Sequence, residues 1–301
     1  PISFWNSAYI PALFLASAAA SRGQELNITV GRPVIVDRYN GRETHFNLQT
    51  HHFCGLIRAG NGNLIALYGL LPDAPPPEGI PLEQYFRKSA GFRVSSDSGR
   101  TWGEQRELDY AANNGGTMHN GSVLIPGFVA EYVDPHQVRL RMNRSDDGGM
   151  TWTQYPGVRL HFPPSRTIRL ANEKFPRPAS MYFYGRMIAL DDGTLLTTMY
   201  GQFTDNRQFR SVLVRSRDQG RSWHYVSTIA GDKPSGHEGF TEPCLIRLKN
   251  QELLCVMRTE YHPSRLLMQS RSADGGKTWT GPVPAPGIPG VTAADREYTT
   301  P

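Results

Sequence analysis

An octapeptide that recurs four times constrains this chain more than any other feature of its sequence. The pattern is Ser-x-Asp-x-Gly-x-(Thr/Ser)-Trp, and each copy is here called an Asp box. The copies are SSDSGRTW at 95–102, SDDGGMTW at 145–152, SRDQGRSW at 216–223 and SADGGKTW at 272–279. A motif that recurs at spacings of 50, 71 and 56 residues indicates an architecture built from similar units.

A second shared pattern lies upstream of three of the boxes, where an apolar run, a turn and another apolar run follow one another. These segments are FCGLIRAGNGNLIALYG from Phe53, MYFYGRMIALDDGTLLTTMYG from Met181 and PCLIRLKNQELLCVMR from Pro243. Their turns are Asn61-Gly62, Asp192-Gly193 and Asn250-Gln251. Asn-Gly and Asp-Gly pairs favour hairpins because both central residues can take positive φ. With a strand leading into each box and a short one after its Trp, each repeat predicts about four antiparallel strands.

The repeats predict an all-β fold of the β-propeller type. A four-stranded sheet cannot bury both faces alone, whereas sheets stacked around an axis can. Residues 45–285 then make roughly four blades, with an insertion at 72–81 in the first and a link at 161–178 between the second and third. The ending 287–301, GIPGVTAADREYTTP, reads as a linker into a further blade. We therefore expect a C-terminally incomplete domain over 21–301, and two more blades in the whole protein.

The Asp boxes themselves are predicted to be structural. Within each box the Asp can accept hydrogen bonds from the backbone of its own turn. The Gly can supply positive φ, and the Trp can bury a large ring. These roles are local, so chemistry is to be sought elsewhere in the repeats.

The N-terminal segment 3–20, SFWNSAYIPALFLASAAA, is apolar from Ala8 onward and ends in small residues. It is short for a membrane span and no basic stop-transfer residues follow it. We interpret 1–20 as the remnant of a signal peptide, which predicts a secreted or periplasmic protein without a membrane span in its mature chain. The alternative is a first core strand or helix.

Charge and cysteine content exclude several classes of partner. The net charge is +5, and no basic run or Arg cluster suggests nucleic acid as a partner. Cys54, Cys244 and Cys255 have neither a disulfide framework nor a metal spacing. Cys244 and Cys255 are expected on adjacent strands, either as buried thiols or as a cross-strand disulfide. His51-His52 has no Cys or carboxylate at matching spacing, so no metal or other cofactor is predicted.

Candidate functional residues lie where strands should end near the propeller axis. Tyr200 and Arg258 each lie seven residues after their hairpin turn, with Tyr68 one position off. Glu242 opens the strand before Arg258, 16 residues upstream, so one hairpin can bring the carboxylate beside the guanidinium. The alternatives are an Arg258 that leaves its strand into solvent and a Glu242 on a surface loop.

Four Asp boxes on four-stranded repeats resemble the sialidase superfamily, whose members are six-bladed β-propellers. The segment Thr241–Arg258 resembles the family segment that carries the catalytic Glu and the second arginine of a triad. The resemblance implies that Glu242 is the base that activates a Tyr nucleophile, and that Arg258 grips the carboxylate of the sugar. It also implies an Asp as general acid, for which Asp73 is the candidate. Tyr200 is expected to contact substrate.

The sequence departs from the family pattern at the first arginine, where His52 stands. Losing one arginine of a carboxylate clamp removes a charged hydrogen bond, which contributes about 1.5–3 kcal/mol. The third arginine and the nucleophile are expected beyond Pro301, since Tyr261 and Tyr298 do not match the family positions.

Two functions follow as expectations. The first is a secreted, sialidase-like exo-glycoside hydrolase that removes terminal sugars from glycans, sialic acid or other acidic sugars among them. The second is a non-catalytic Asp-box propeller that binds glycans or proteins, since the fold alone does not decide function.

Overall fold

The computed structural model describes residues 31–37, 48–72, 89–110, 112, 114–166, 179–231, 239–259 and 267–285. Their regular structure consists of strands. A helix that could traverse a lipid bilayer is not found among these residues. The expected signal segment 1–20, most of the insertion after the first hairpin and the C-terminal segment 286–301 lie outside the described residues.

The described strands fall into four groups, and each group carries one Asp box between its last two strands. The first group is β1 (Leu48–Arg58), β2 (Leu64–Pro72), β3 (Ser89–Ser95) and β4 (Arg106–Leu108). The second is β5 (Gly116–Thr117), β6 (Val123–Pro126), β7 (Val129–Asp134), β8 (Gln137–Ser145) and β9 (Thr153–His161). The third is β10 (Ala179–Phe183), β11 (Ile188–Ala189), β12 (Leu195–Phe203), β13 (Asn206–Ser216) and β14 (Ser222–Ala230). The fourth is β15 (Thr241–Arg247), β16 (Leu253–Arg258), β17 (Met268–Ser272) and β18 (Val283–Pro284).

The first and fourth groups each form a four-stranded antiparallel sheet in chain order, as predicted. The second and third groups differ, because they join into one ten-stranded sheet. β7 pairs with β10, and β9 pairs in parallel with β14, where Trp223 lies opposite Leu160. β9 and β14 are nine residues each, long enough to reach each other at the sheet edge. The expectation of a separate antiparallel sheet for every repeat is therefore wrong at this junction.

The hairpin turns occur where predicted but have another geometry. In the first, the Ala59 N–H donates to the Asn63 carbonyl at 2.8 Å, and the Gly62 N–H donates to the Ala59 carbonyl at 2.9 Å. Gly62 has a φ of 91°, whereas Asn61 is not in the positive-φ region. This is a three-residue loop that ends in one left-handed residue, not a two-residue turn with two of them.

The same loop recurs in all four groups, including the second, where the sequence analysis did not find it. Its left-handed residues are Gly62, Gly121, Gly193 and Gln251. The residue before each of these accepts a hydrogen bond through its side chain from the N–H two positions later; these residues are Asn61, Asn120, Asp192 and Asn250. The Asn-Gly pair at 120–121 was a signal in the sequence that could have revealed the hairpin of the second group.

The hydrophobic cores lie between successive groups, as a propeller-like stack requires. Side chains of a strand alternate between its two faces. Leu195 packs into the core shared with the second group, while Leu196 packs into the core shared with the fourth. Leu124 and Val123 divide in the same way between the cores on either side of the second group. This radial stacking makes the fold β-propeller-like, and the count of six blades stays a prediction.

Each Asp box has the same hydrogen bonds within its own turn. In the second box Asp147 accepts bonds from the Thr151 N–H at 2.8 Å and from the Ser145 hydroxyl at 2.8 Å, while the Gly149 N–H donates to Ser145 Oγ at 2.7 Å. The other three boxes repeat these bonds. Partial burial raises the pKa of Asp147, but the bonds from Thr151 and Ser145 outweigh it and lower that pKa to about 2.

The boxes also fasten each group to the one before it, which the sequence analysis did not anticipate. A Cβ atom added to Gly149 would lie 2.8 Å from Ile65 Cδ1, on the preceding sheet. The corresponding distance from Gly276 is 2.1 Å to Leu213 Cδ2. The box glycine therefore provides both positive φ and the close approach of two sheets.

The cysteines are free. Cys244 and Cys255 lie on the adjacent strands β15 and β16, as expected, but Cys244 is opposite Val256 and Cys255 is opposite Leu245. The alternative of a cross-strand disulfide is therefore wrong. Cys255 is buried, Cys244 is half-buried and Cys54 is exposed.

Candidate active site

Glu242 occupies an irregular position at the start of β15. Thr241 pairs with Arg258 and Cys244 pairs with Val256, so Glu242 and Pro243 together face the single residue Met257. Two residues opposite one define a β-bulge, a feature that redirects side chains near functional sites. Glu242 has a φ of 47°, a conformation that is uncommon for a residue with a side chain. The backbone is thus bent at the residue that the sequence analysis singled out.

Glu242 and Arg258 form an ion pair, in which Arg258 Nη2 lies 3.2 Å from Glu242 Oε1. The Glu242 side chain is 11% exposed and that of Arg258 is 25% exposed. The Arg258 Nε–H points to Thr241 Oγ1 at 3.4 Å. A carboxylate and a guanidinium that are mostly withdrawn from water interact more strongly than an exposed pair.

Other parts of the third and fourth groups hold the bulge in place. The Thr198 hydroxyl lies 2.7 Å from the Tyr184 carbonyl and 2.9 Å from the Pro243 carbonyl, so it bridges β12 and the bulge. Gly185 has a φ of 100°, and a Cβ there would lie 2.5 Å from the Pro243 carbonyl oxygen. The bulge therefore depends on Gly185 and Thr198, neither of which the sequence analysis identified.

An aromatic cluster adjoins the ion pair. The Tyr182 and Tyr200 rings lie 5.0 Å apart between centroids, and Tyr184 meets Tyr200 edge-on at 6.2 Å. Phe128 and Phe209 pack against the three tyrosines. Such offset and edge-on contacts favour a rigid wall of rings.

The negative charge of Glu242 affects the pKa of two tyrosines in this cluster. Burial, and then the negative charge of Glu242, raise the pKa of Tyr184 and of Tyr200. Burial alone raises the pKa of Tyr182 to about 12. These phenols therefore stay neutral at physiological pH and can donate hydrogen bonds. Tyr200 itself is buried, with 8% of its surface exposed.

The described structure does not place the remaining predicted site residues beside the Glu242–Arg258 pair. His52 belongs to β1, where its Cα lies opposite Gly69. Asp73, Tyr261 and Tyr298 lie outside the described residues.

Tyr68 belongs to a separate polar cluster. Its hydroxyl donates to the Asp37 carboxylate, which also pairs with Arg93 at 2.7 Å. Among the described residues, no group of three or more His, Cys, Asp or Glu side chains is arranged to hold a metal ion.

Comparison with known families supports the reading of the repeats. Residues 165–289 match the family described as BNR repeat-like domain. The chain has the fold of sialidases, and part of it is similar to BNR repeats. That fold follows from solved structures, among them NanB sialidase from Streptococcus pneumoniae in its K499G mutant form. This structure is 12% identical over 87% of the present chain, with a TM-score of 0.56.

Two further solved structures resemble this chain. A leech intramolecular trans-sialidase is 14% identical over 88% of the chain, with a TM-score of 0.55. A protein of unknown function from Dyadobacter fermentans is 19% identical over 83% of the chain, with a TM-score of 0.58. The chain spans 71% of the Dyadobacter protein but only 54% and 55% of the leech and NanB chains. Among curated proteins, none matches the sequence.

Proposed function

We propose that this protein is an exo-glycoside hydrolase that releases terminal acidic sugars from glycans. The observation that carries the proposal is the ion pair of Glu242 and Arg258 at a strained bulge, 3.2 Å apart and largely withdrawn from solvent. The sialidase fold and the match to the BNR repeat-like domain support the proposal. The acidic class of sugar is inferred from the positive charge of Arg258.

Arg258 supplies anion recognition in this proposal. Its guanidinium is planar and permanently charged, which suits the two oxygens of a sugar carboxylate. The exposed quarter of its side chain is where such a carboxylate approaches. Glu242 then holds one side of the guanidinium and fixes its orientation.

Glu242 also acts as general base. A sugar carboxylate beside the reacting carbon repels an anionic nucleophile, so a Tyr hydroxyl activated by a carboxylate is the alternative that the resemblance implies. The bulge fixes the Glu242 carboxylate for this task. Asp73 stays the predicted acid, and the nucleophilic Tyr is not assigned to a described residue.

The test uses the natural full-length protein with a fluorogenic sialoside and a panel of neutral glycosides. Glu242→Gln keeps the size and removes the base, and we expect a loss of about 10²–10⁴-fold in kcat/KM on the sialoside. Glu107→Gln is the matched control, because Glu107 is an exposed carboxylate on β4. Wild-type protein that hydrolyses no acidic glycoside would refute the proposed activity. A Glu242→Gln variant as active as wild type would remove Glu242 from the mechanism.

A second candidate function is a glycan-binding propeller without turnover. It is favoured by His52, which stands where the family pattern has an arginine of the carboxylate clamp. Binding of a sialoside at micromolar to millimolar concentration without hydrolysis by the full-length protein would select this candidate.

A further inference from the structure

A cleft separate from Glu242 and Arg258 opens beside the third group of strands. It has a volume of about 780 Å³, within the range of small-molecule sites. Its walls come from the β7–β8 turn, the segment after β9 and the β12–β13 turn. Neither member of the Glu242–Arg258 pair lines it.

Backbone hydrogen bonds fix the three walls to one another. The Ser165 N–H donates to the Pro135 carbonyl at 2.7 Å, and the Arg166 N–H donates to the Gln202 carbonyl at 2.9 Å. The Thr204 N–H donates to the Pro164 carbonyl at 3.0 Å. Three segments that are distant in sequence are therefore held in a defined shape, as a preformed binding site requires.

The charged residues that line the cleft are both arginines. Arg166 and Arg207 face it, and the structure gives their side chains no ion pair with a described residue. The carboxylate of Asp205, two residues before Arg207 in the chain, pairs with Arg210 at 2.8 Å. Two guanidinium groups without a lining carboxylate favour an anionic ligand.

The uncharged lining residues suit a saccharide. Tyr132 offers an aromatic ring, Gln202 an amide and Thr204 a hydroxyl. Sugars present both hydrogen-bonding groups and apolar C–H faces, and a few polar groups around an aromatic surface match both.

The position of the cleft connects it with the candidate active site. Gln202 follows Tyr200 by two residues on β12, which places the two Cα atoms about 7 Å apart along the strand. Tyr200 lies within the field of Glu242. The cleft is therefore about one sugar unit along β12 from the aromatic wall.

We propose that this cleft is an anion-recognising saccharide subsite, in which Arg166 and Arg207 bind a carboxylate or sulfate on a second sugar of the glycan. Its link to the cleaved sugar rests on the proposed function, whereas its binding of an acidic saccharide does not. Substrates with two acidic sugars would thus be preferred to those with one.

The experiment measures calorimetric binding to the full-length protein in the Glu242→Gln background, which keeps the probes intact. The probes are an α2,8-linked disialic acid, lactose 3′-sulfate and lactose. Arg166→Gln/Arg207→Gln is the test variant. Arg100→Gln/Arg217→Gln is the control, because it removes the same charge from two exposed Asp-box positions. Thermal unfolding verifies that both double variants fold.

We expect the test variant to bind the disialic acid roughly tenfold or more weakly, with the control and the affinity for lactose unchanged. If the test variant also binds lactose 3′-sulfate more weakly, the cleft recognises anions in general. If its affinity for lactose 3′-sulfate is unchanged, the cleft recognises a carboxylate. Equal weakening by both double variants, or none by the test variant, would overturn the proposal.

Failure of the subsite and failure of the proposed function can be told apart. If the wild type hydrolyses no sialoside while the test variant loses acidic binding, the hydrolase proposal fails and the subsite stands. If Glu242→Gln abolishes hydrolysis while Arg166→Gln/Arg207→Gln leaves binding and KM unchanged, the subsite fails and the hydrolase stands.

Discussion

The four Asp boxes and the Glu242–Arg258 pair are built on opposite principles. Each box repeats the same bonds among its own residues and the same left-handed pair of backbone positions. The pair occurs at one place among the described residues, where a bulge interrupts the pairing of β15 with β16. The box Asp and Ser side chains bond within their own turn, whereas the pair joins two strands and is partly exposed.

This difference separates the structural repeats of the protein from the site of its proposed chemistry. The repeated motif stabilises the sheets, and in the second and fourth boxes its glycine lies against the preceding group. An irregular and charged position costs stability and persists only where the surrounding structure holds it. Variants in the boxes should therefore change stability with little effect on turnover per folded molecule, and variants at the pair should do the reverse.

The largest stability effect is expected from the third box. Trp223 is fully buried, and its indole N–H donates to the Gly220 carbonyl at 3.1 Å. Trp223→Ala should lower the free energy of unfolding by about 3–5 kcal/mol, because it opens a cavity in the core shared by the second and third groups. Trp102→Ala in the half-buried first box is the control, with a smaller loss expected in urea unfolding. Equal losses of unfolding free energy in the two variants would show that the burial of the box Trp does not determine its contribution to stability.

A matched pair of glycines in the fourth box sharpens the comparison. Gly275 and Gly276 both have positive φ, but an added Cβ meets nothing within 4 Å at Gly275 and lies 2.1 Å from buried Leu213 at Gly276. Gly275→Ala should cost about 1 kcal/mol for the left-handed backbone, and Gly276→Ala about 2–4 kcal/mol, since the sheets must also move apart. Thermal unfolding of both variants measures the difference. A Gly275→Ala loss as large as that of Gly276→Ala would contradict the fastening of each box to the preceding sheet.

A smaller effect, which depends on pH, is expected at Asp147. Its pKa is about 2 in the folded chain and near 3.9 in an unfolded one, so its contribution is present above about pH 4 and is lost as pH falls toward 2. The stability difference between wild type and Asp147→Asn should therefore shrink over that window in urea titrations. Glu107→Gln, at an exposed position outside the boxes, is the control. A difference that stays constant down to pH 2 would contradict the role of the ionised carboxylate.

The sequence alone was sufficient for the repeats, three of the four hairpins and the association of Glu242 with Arg258. Alternating apolar residues, turn residues and Asp boxes can be recognised from residues that are close together in the sequence. The turn of a hairpin then fixes the register of its two strands. The joining of the second and third sheets was not predictable, because pairing between edge strands depends on where two separate hairpins come together in space. The supporting contact of Thr198 with Pro243 escaped notice for the same reason, since it links residues 45 apart in the chain.

The most direct test of the account is one crossed measurement on the full-length protein. Sialoside hydrolysis per folded molecule and the unfolding midpoint are recorded for the wild type, Glu242→Gln and Asp274→Asn, where Asp274 accepts the box bonds of the fourth repeat. The account predicts that Glu242→Gln loses about 10²–10⁴-fold in rate with little change in midpoint, and that Asp274→Asn lowers the midpoint but keeps the rate. A rate retained by Glu242→Gln, or lost equally in Asp274→Asn, would contradict the separation of frame and site.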